Sequence, residues 1–257
     1  MKTSIVITTL VALALLPADA GSSAPSIHHP ELTTTTASPW TFQFDLYGWA
    51  EALNGDIGIK GFSAPVDISF SDILENLDFA VMGAVGIGYG RWNFLADVVY
   101  AEIGNSGTKR GVWVKVEEEQ FLGNFALGYE VLQSHTMNLN LYAGARVNSI
   151  DVNLQLDDRR GRAFSRSGSK TWVDPILGAR FQAEFSDSWF FRAVGDIGGF
   201  GVASDLTWQA MAGFGYRLND CSSLLLGYRA LGTDYANGGF TYDLTAYGPV
   251  FGFEYKF

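Results

Sequence analysis

The chain closes on Val250-Phe251-Gly252-Phe253-Glu254-Tyr255-Lys256-Phe257. Aromatic residues take every second position up to the last residue, and small or charged residues fill the places between. A period of two is the mark of a strand whose two faces meet different surroundings. A strand that turns an aromatic face to lipid must pair both of its edges, because the bilayer core offers no water to its backbone groups. The reading is a last strand that closes a barrel through Phe251, Phe253, Tyr255 and Phe257.

The same alternation begins at Trp40. Trp40, Phe42, Phe44, Leu46, Gly48, Ala50 and Ala52 share one face, and Thr41, Gln43, Asp45, Tyr47, Trp49 and Glu51 share the other. Nine more segments repeat the pattern, near 79–90, 92–103, 112–130, 137–156, 171–185, 189–200, 206–217, 222–234 and 240–257. The expected fold is all-β, a single transmembrane antiparallel up-and-down β-barrel over 40–257. It has about ten strands, with eight to twelve compatible with the pattern. Pro175 and Pro249 fall inside predicted strands, so each costs a ladder bond or marks a bulge. In 137–156 the apolar face moves from Val147 to Ile150, which predicts a bulge near Asn148.

Short links at Gly90-Arg91, 132–136, 186–188 and 219–221 alternate with longer ones at 54–78, 104–111, 157–170, 201–205 and 235–239. Outer-membrane barrels keep short turns on the periplasmic side, which places both termini there. Trp92, Tyr129, Phe185, Trp189, Tyr216, Phe253, Tyr255 and Phe257 lie near the short turns, as an interfacial girdle would. A soluble barrel or sandwich would bury its apolar face and cover the outside with Lys and Glu. Here the polar face is mostly Gly, Asn, Gln, Asp and Arg, which fits a lumen better.

The beginning reads as an export signal over 1–20. Lys2 is followed by an apolar run from Ile5 to Leu16, then Pro17 and the small-residue site Ala18-Asp19-Ala20. Residues 21–39 are rich in Ser, Thr, Pro and His and read as a disordered periplasmic tail. The net charge of −10 argues against general nucleic-acid binding. One Cys and three His give no internal disulfide and no zinc cluster, so no metal or other cofactor is expected.

Several stretches resemble a widespread, largely uncharacterised group of Gram-negative outer-membrane β-barrel proteins. They are Trp172-Val173-Asp174-Pro175 with Gly178-Ala179-Arg180, Gly195 to Gly201, Ser204 to Trp208, Gly227-Tyr228-Arg229, Asp234-Tyr235, Gly238-Gly239-Phe240 and Tyr242-Asp243. The resemblance implies an outer-membrane location and a last strand read by the barrel assembly machinery. It implies little about activity.

Gly-x-Arg recurs at Gly144/Arg146, Gly178/Arg180, Gly215/Arg217 and Gly227/Arg229. Strand parity turns these pairs inward, where Gly would leave room for a long guanidinium. Arg192, Asp45, Asp97, Asp174, Asp196 and Glu254 share that face. Together they predict a lumen charge network, either a structural filling or a charged constriction that selects solutes. A narrow lumen leaves both open. Segment 54–78 reads as a hairpin followed by a helical turn capped at Ser71, standing above the barrel or plugging it. Segment 157–170 carries Arg159, Arg160, Arg162, Arg166 and Lys170, a basic loop suited to lipopolysaccharide phosphates. His28 and His29 sit in the tail and His135 in a short turn, so a His-dependent hydrolase at the outer rim has no His to use. The leading expectation is porin-like passage of small polar solutes. The alternative is a non-conducting structural or adhesive barrel acting through its outer loops and lipopolysaccharide.

Overall fold

The computed structural model describes residues 38–59, 62–109, 112–158 and 163–257. The export signal and nearly all of the tail lie outside these residues, as do Arg159, Arg160 and Arg162. Twelve strands and one helix follow in order. They are β1 (Trp40–Trp49), β2 (Ala52–Ile59), β3 (Phe62–Ile68), α1 (Phe70–Asn76), β4 (Leu77–Tyr89), β5 (Trp92–Lys109), β6 (Val112–Gln133), β7 (Met137–Asp158), β8 (Ala163–Glu184), β9 (Trp189–Gly199), β10 (Leu206–Arg217), β11 (Ser222–Asn237) and β12 (Phe240–Lys256). Neighbours from β4 to β12 pair antiparallel in chain order, β1 pairs with β4, and β12 closes on β1. The result is a closed ten-strand barrel, with the β2–β3 hairpin added beyond the ring.

Closure rests on the terminal strand. Gln43 pairs with Lys256 and the ladder runs to Trp49 against Val250. The Phe257 N–H donates to the Phe42 carbonyl at 2.9 Å. The last residue is therefore inside the pairing, and its ring is on the outside with those of Phe251 and Phe253.

The outer surface is apolar and exposed from Trp92, Phe94, Leu127 and Tyr129 round to Phe214, Leu226 and Phe251. A soluble protein seldom leaves a belt of this kind uncovered. Aromatic pairs mark its lower edge, at the end that bears the termini. Trp40 meets Tyr89 at 4.8 Å, Trp92 meets Tyr129 at 5.0 Å, and Trp189 meets Tyr216 at 5.0 Å between ring centroids.

Pro249 sits inside β12 without a bulge. The Ala50 N–H donates to the Pro249 carbonyl at 2.9 Å. The return bond is missing because proline has no N–H. That gap separates β1 from β2, yet both keep one register along β12, with Trp49 opposite Val250 and Ala52 opposite Tyr247. Pro175 pairs with Ala145 on β7, and on its other side the β9 ladder begins only at Ile176. Each proline costs at most one ladder bond.

Four expectations need correction. Strand β7 has no bulge at Asn148, because its pairing to β6 and β8 is continuous there. Asn148 and Ile150 both point inward and are buried, so Ile150 is an apolar lumen residue and marks no change of face. Register shifts lie elsewhere, at Leu77/Phe79 between β4 and β5 and at Glu130/Leu132 between β6 and β7. Segments 104–111 and 157–170 are largely strand, since β5 reaches Lys109, β7 Asp158, and β8 starts at Ala163. Their Gly, Ser and Asn read as loop, but cross-strand partners hold the ladder. Strands β6, β7 and β8 have 22 residues each, about twice the 9–11 that cross a bilayer. A tall wall from β5 to β8 therefore rises at the far end. Segment 54–78 does form a hairpin and a helix, but the N-cap is Ser69, not Ser71. Ser69 and Asp72 satisfy each other's backbone N–H in a capping box. The hairpin pairs with β12 from Phe240 to Tyr247, so it extends the wall, with Ile57 and Val66 packed on the upper apolar cluster.

Candidate functional site: a side-chain ring across the lumen

The inward residues of β1 climb through the lumen as Gln43, Asp45, Tyr47 and Trp49, the first two in a lower charged layer, Tyr47 in a ring above it and Trp49 in an apolar cluster above that.

At the level of Tyr47, six side chains form a closed ring. Arg146 donates from Nε to Asn124 Oδ1 at 2.7 Å and from Nη2 to Asp196 Oδ1 at 2.7 Å. Asn124 donates to Asp97 Oδ2 at 3.0 Å. Arg229 donates to the same Asp97 oxygen at 3.0 Å and to Gln209 Oε1 at 3.0 Å through Nε. Gln209 completes the circuit to Asp196 Oδ2 at 3.3 Å. The six come from β5, β6, β7, β9, β10 and β11. Tyr47 joins from β1, donating to Asp97 at 2.5 Å and accepting from Arg229 at 3.0 Å. Thr207 accepts from Arg146 at 2.8 Å and Tyr142 donates to Asp196 at 3.0 Å. Arg146 is 0% exposed and Arg229 5%. Each charge thus has an opposite charge and neutral hydrogen-bond partners, which a buried ion requires.

Above the ring the lumen is mostly apolar, with Glu51, Gln120 and Asn148 set between two apolar clusters. Trp49, Val99, Leu122, Leu231 and Val250 form one cluster. Ile150, Trp172, Tyr235, Tyr242 and Leu244 form the next, with Ile57 and Val66 of the hairpin against it. Arg229 lies 4.8 Å from the Trp49 ring centroid, which joins the ring to the first apolar layer.

Below it, towards the termini, is a second charged layer. Arg192 pairs with Glu254 at 2.7 Å and donates to Gln182 Oε1 at 3.1 and 2.8 Å. Gln43 donates to Asp45 at 2.9 and 2.8 Å and to Glu254 at 2.8 Å. A cavity of about 120 Å³ lies between the two layers, with Asp45, Arg180 and Arg192 on one side and Asp97 and Arg229 on the other.

The charged residues singled out from sequence therefore divide into groups. Asp97, Arg146, Asp196 and Arg229 meet in the ring, and Asp45, Arg180 and Arg192 in the lower layer. Arg217 pairs with Glu184 at 2.7 Å near the terminal rim. Asp174 stands apart, fully buried. It accepts from the Ser204 N–H at 2.7 Å and the Ser204 hydroxyl at 2.6 Å, and so clamps the β9–β10 loop inward. Lys170 lies on the upper part of β8, and of Arg166 only the backbone is described.

The glycines beside the arginines do something other than make room for guanidinium groups. A Cβ at Gly215 would strike the Phe190 ring, and one at Gly178 would strike the Tyr142 ring. At Gly144 and Gly227 a Cβ would meet the backbone of the neighbouring strand. They admit aromatic rings and close strand approach. Sequence reasoning missed the neutral members Tyr47, Asn124, Gln209 and Thr207. Inward parity, available from the strand pattern, was the signal that could have found them.

A closed antiparallel barrel with an apolar belt outside and a polar, side-chain-filled interior is the fold of outer-membrane β-barrels. Solved structures of that class are similar to it. The outer membrane protease OmpT of Escherichia coli superposes with a TM-score of 0.52 at 9% identity, over 88% of this chain and 99% of OmpT. Ail, the attachment invasion locus protein of Yersinia pestis, gives 0.37 at 9% identity, over 86% and 99% of the two chains. The P. putida toluene transporter TodX gives 0.29 at 12% identity, over 86% and 92% of the two chains. At such identities the likeness concerns fold and transfers no activity. No protein-family model and no curated protein matches the sequence, so the resemblance drawn from Trp172 to Asp243 stands only at the level of this broad barrel class.

Proposed function

We propose that the protein spans the outer membrane as a non-conducting barrel and works through the surface at its far end. The observation that carries this reading is the ring of Arg146, Asn124, Asp97, Arg229, Gln209 and Asp196. It ties opposite walls together, and two apolar layers lie above it. A hydrated ion would have to break paired buried charges and then squeeze between two largely apolar clusters, which is costly. The tall β5–β8 wall and the β2–β3 hairpin put the chain's largest extramembrane surface at the far end. Lys170 and the backbone of Arg166 lie on the upper part of β8 there, which fits contact with lipopolysaccharide phosphates. Replacing Arg159, Arg160, Arg162, Arg166 and Lys170 by Gln, which leaves the β7–β8 pairing in place, should weaken binding of purified lipopolysaccharide to the barrel in lipid nanodiscs. Unchanged binding by a folded variant would count against that surface role.

Passive passage of small polar solutes is the second reading. It draws on the charged inner face and on a cavity open at the terminal end. It requires the Arg146–Arg229 ring to part.

A further inference from the structure

A cavity of about 230 Å³ opens at the end of the barrel that bears the termini. This is far more than the ~15 Å³ that one water needs. The polar part of its walls is mostly amides, such as Asn93, Asn140 and Gln182, and the cations Arg91, Arg180, Arg192 and Lys256. The one carboxylate in its lining is Glu130. Asp45 and Glu254 lie deeper, in the layer that forms the floor.

The charges of this region do not balance locally. Glu254 serves two cations, Arg192 at 2.7 Å and Lys256 at 2.9 Å. Asp45 is taken by the Gln43 amide, which also donates to Glu254. Among the described residues no carboxylate oxygen lies within 4 Å of the Arg180 nitrogens, although Arg180 lines both this cavity and the one above it. With Asp45 and Glu254 included, four cations stand against three carboxylates, an excess of one positive charge. A guanidinium whose nearest carboxylates, Asp45 and Glu254, are already engaged by Gln43, Arg192 and Lys256 is the arrangement that an incoming anion would complete. The surrounding amides would take the hydroxyl or amide groups of the same molecule.

We propose that this cavity binds a small oxyanion, a carboxylate or phosphate carried by a polar solute, with Arg180 as its principal counter-charge. The inference is independent of whether the lumen conducts, because the cavity is reached from the terminal end and lies below the ring.

The test is calorimetric titration of the intact barrel in nanodiscs with succinate and, separately, with inorganic phosphate; glycerol serves as the uncharged control. At least one anion should bind and glycerol should not. The two anion arms tell a carboxylate site from a phosphate site. Arg180→Gln should weaken the anion that binds by roughly tenfold, the value of one charge-assisted hydrogen bond. Glu130→Gln should tighten it, an effect that mere damage to the wall would not produce. If Arg180→Gln does not fold, Lys256→Gln at the half-exposed rim supplies the loss-of-charge variant and should also weaken binding. The proposal is overturned if neither anion binds up to about 10 mM, if glycerol binds as well as they do, or if the charge variants leave the affinity unchanged.

Discussion

Arg146→Met separates the ring's charge from its bulk. Methionine keeps much of the length and the apolar stem but removes three hydrogen bonds, to Asn124, Asp196 and Thr207, of 2.7, 2.7 and 2.8 Å. The side chain of Asp196 is 1% exposed. It would keep only Tyr142 at 3.0 Å and Gln209 at 3.3 Å. Removing one partner of a buried pair leaves an uncompensated charge and costs about 3–5 kcal/mol. Replacing both partners by apolar residues of similar volume is often neutral. Arg146→Met should therefore lose about 3–5 kcal/mol, and the double variant Arg146→Met with Asp196→Leu should recover most of it. Urea unfolding of the barrel in phospholipid vesicles, followed by tryptophan fluorescence, gives these differences from the midpoints when the slopes agree. Asp196→Leu alone then completes a double-mutant cycle. A single variant within about 1 kcal/mol of wild type, or a double variant no better than the single, would refute the account of the ring.

Two further outcomes follow from the packing. Gly215→Ala would drive a methyl group into the Phe190 ring, which is 1% exposed and has Arg192 and Arg217 each 5.1 Å from its centroid. Overpacking of this kind should cost about 1–3 kcal/mol in the same unfolding assay, whereas Gly168→Ala, with open space around it, should change little. Asp174→Ala should free the β9–β10 loop by removing both bonds to Ser204, and amide hydrogen exchange at Ser204 should speed up while exchange in β10 stays slow. Unchanged exchange at Ser204 would show that the clamp does not hold the loop.

Much of the barrel was legible because period-two alternation survives wherever the two strand faces meet different media. Trp40 to Trp49 and Phe251 to Phe257 carry that contrast in nearly every residue, so closure of the last strand on the first could be read directly. The contrast disappears above the apolar belt. There Gly104 to Thr108 and Ser165 to Ser169 are polar on both faces, and only hydrogen bonding to the partner strand keeps them extended. The lumen was legible in its charges but not in its connections. Parity placed Arg146, Arg229, Asp97 and Asp196 on one face. Which carboxylate each arginine meets depends on strand stagger, and sequence does not display stagger. Asp174 shows the difference: the same parity sends it inward, but the positive-φ turn at Gly199, Phe200 and Gly201 brings Ser204 to it before any arginine does.

Planar-bilayer recording on the purified protein tests the central claim most directly. A lumen crossed by the paired ring and capped by two apolar layers predicts a silent membrane, with Arg229→Ala also silent because the apolar layers remain. Discrete, ohmic conductance steps from the wild-type barrel would contradict it, and steps that change size on substituting Arg229 would place the passing ions at the ring itself.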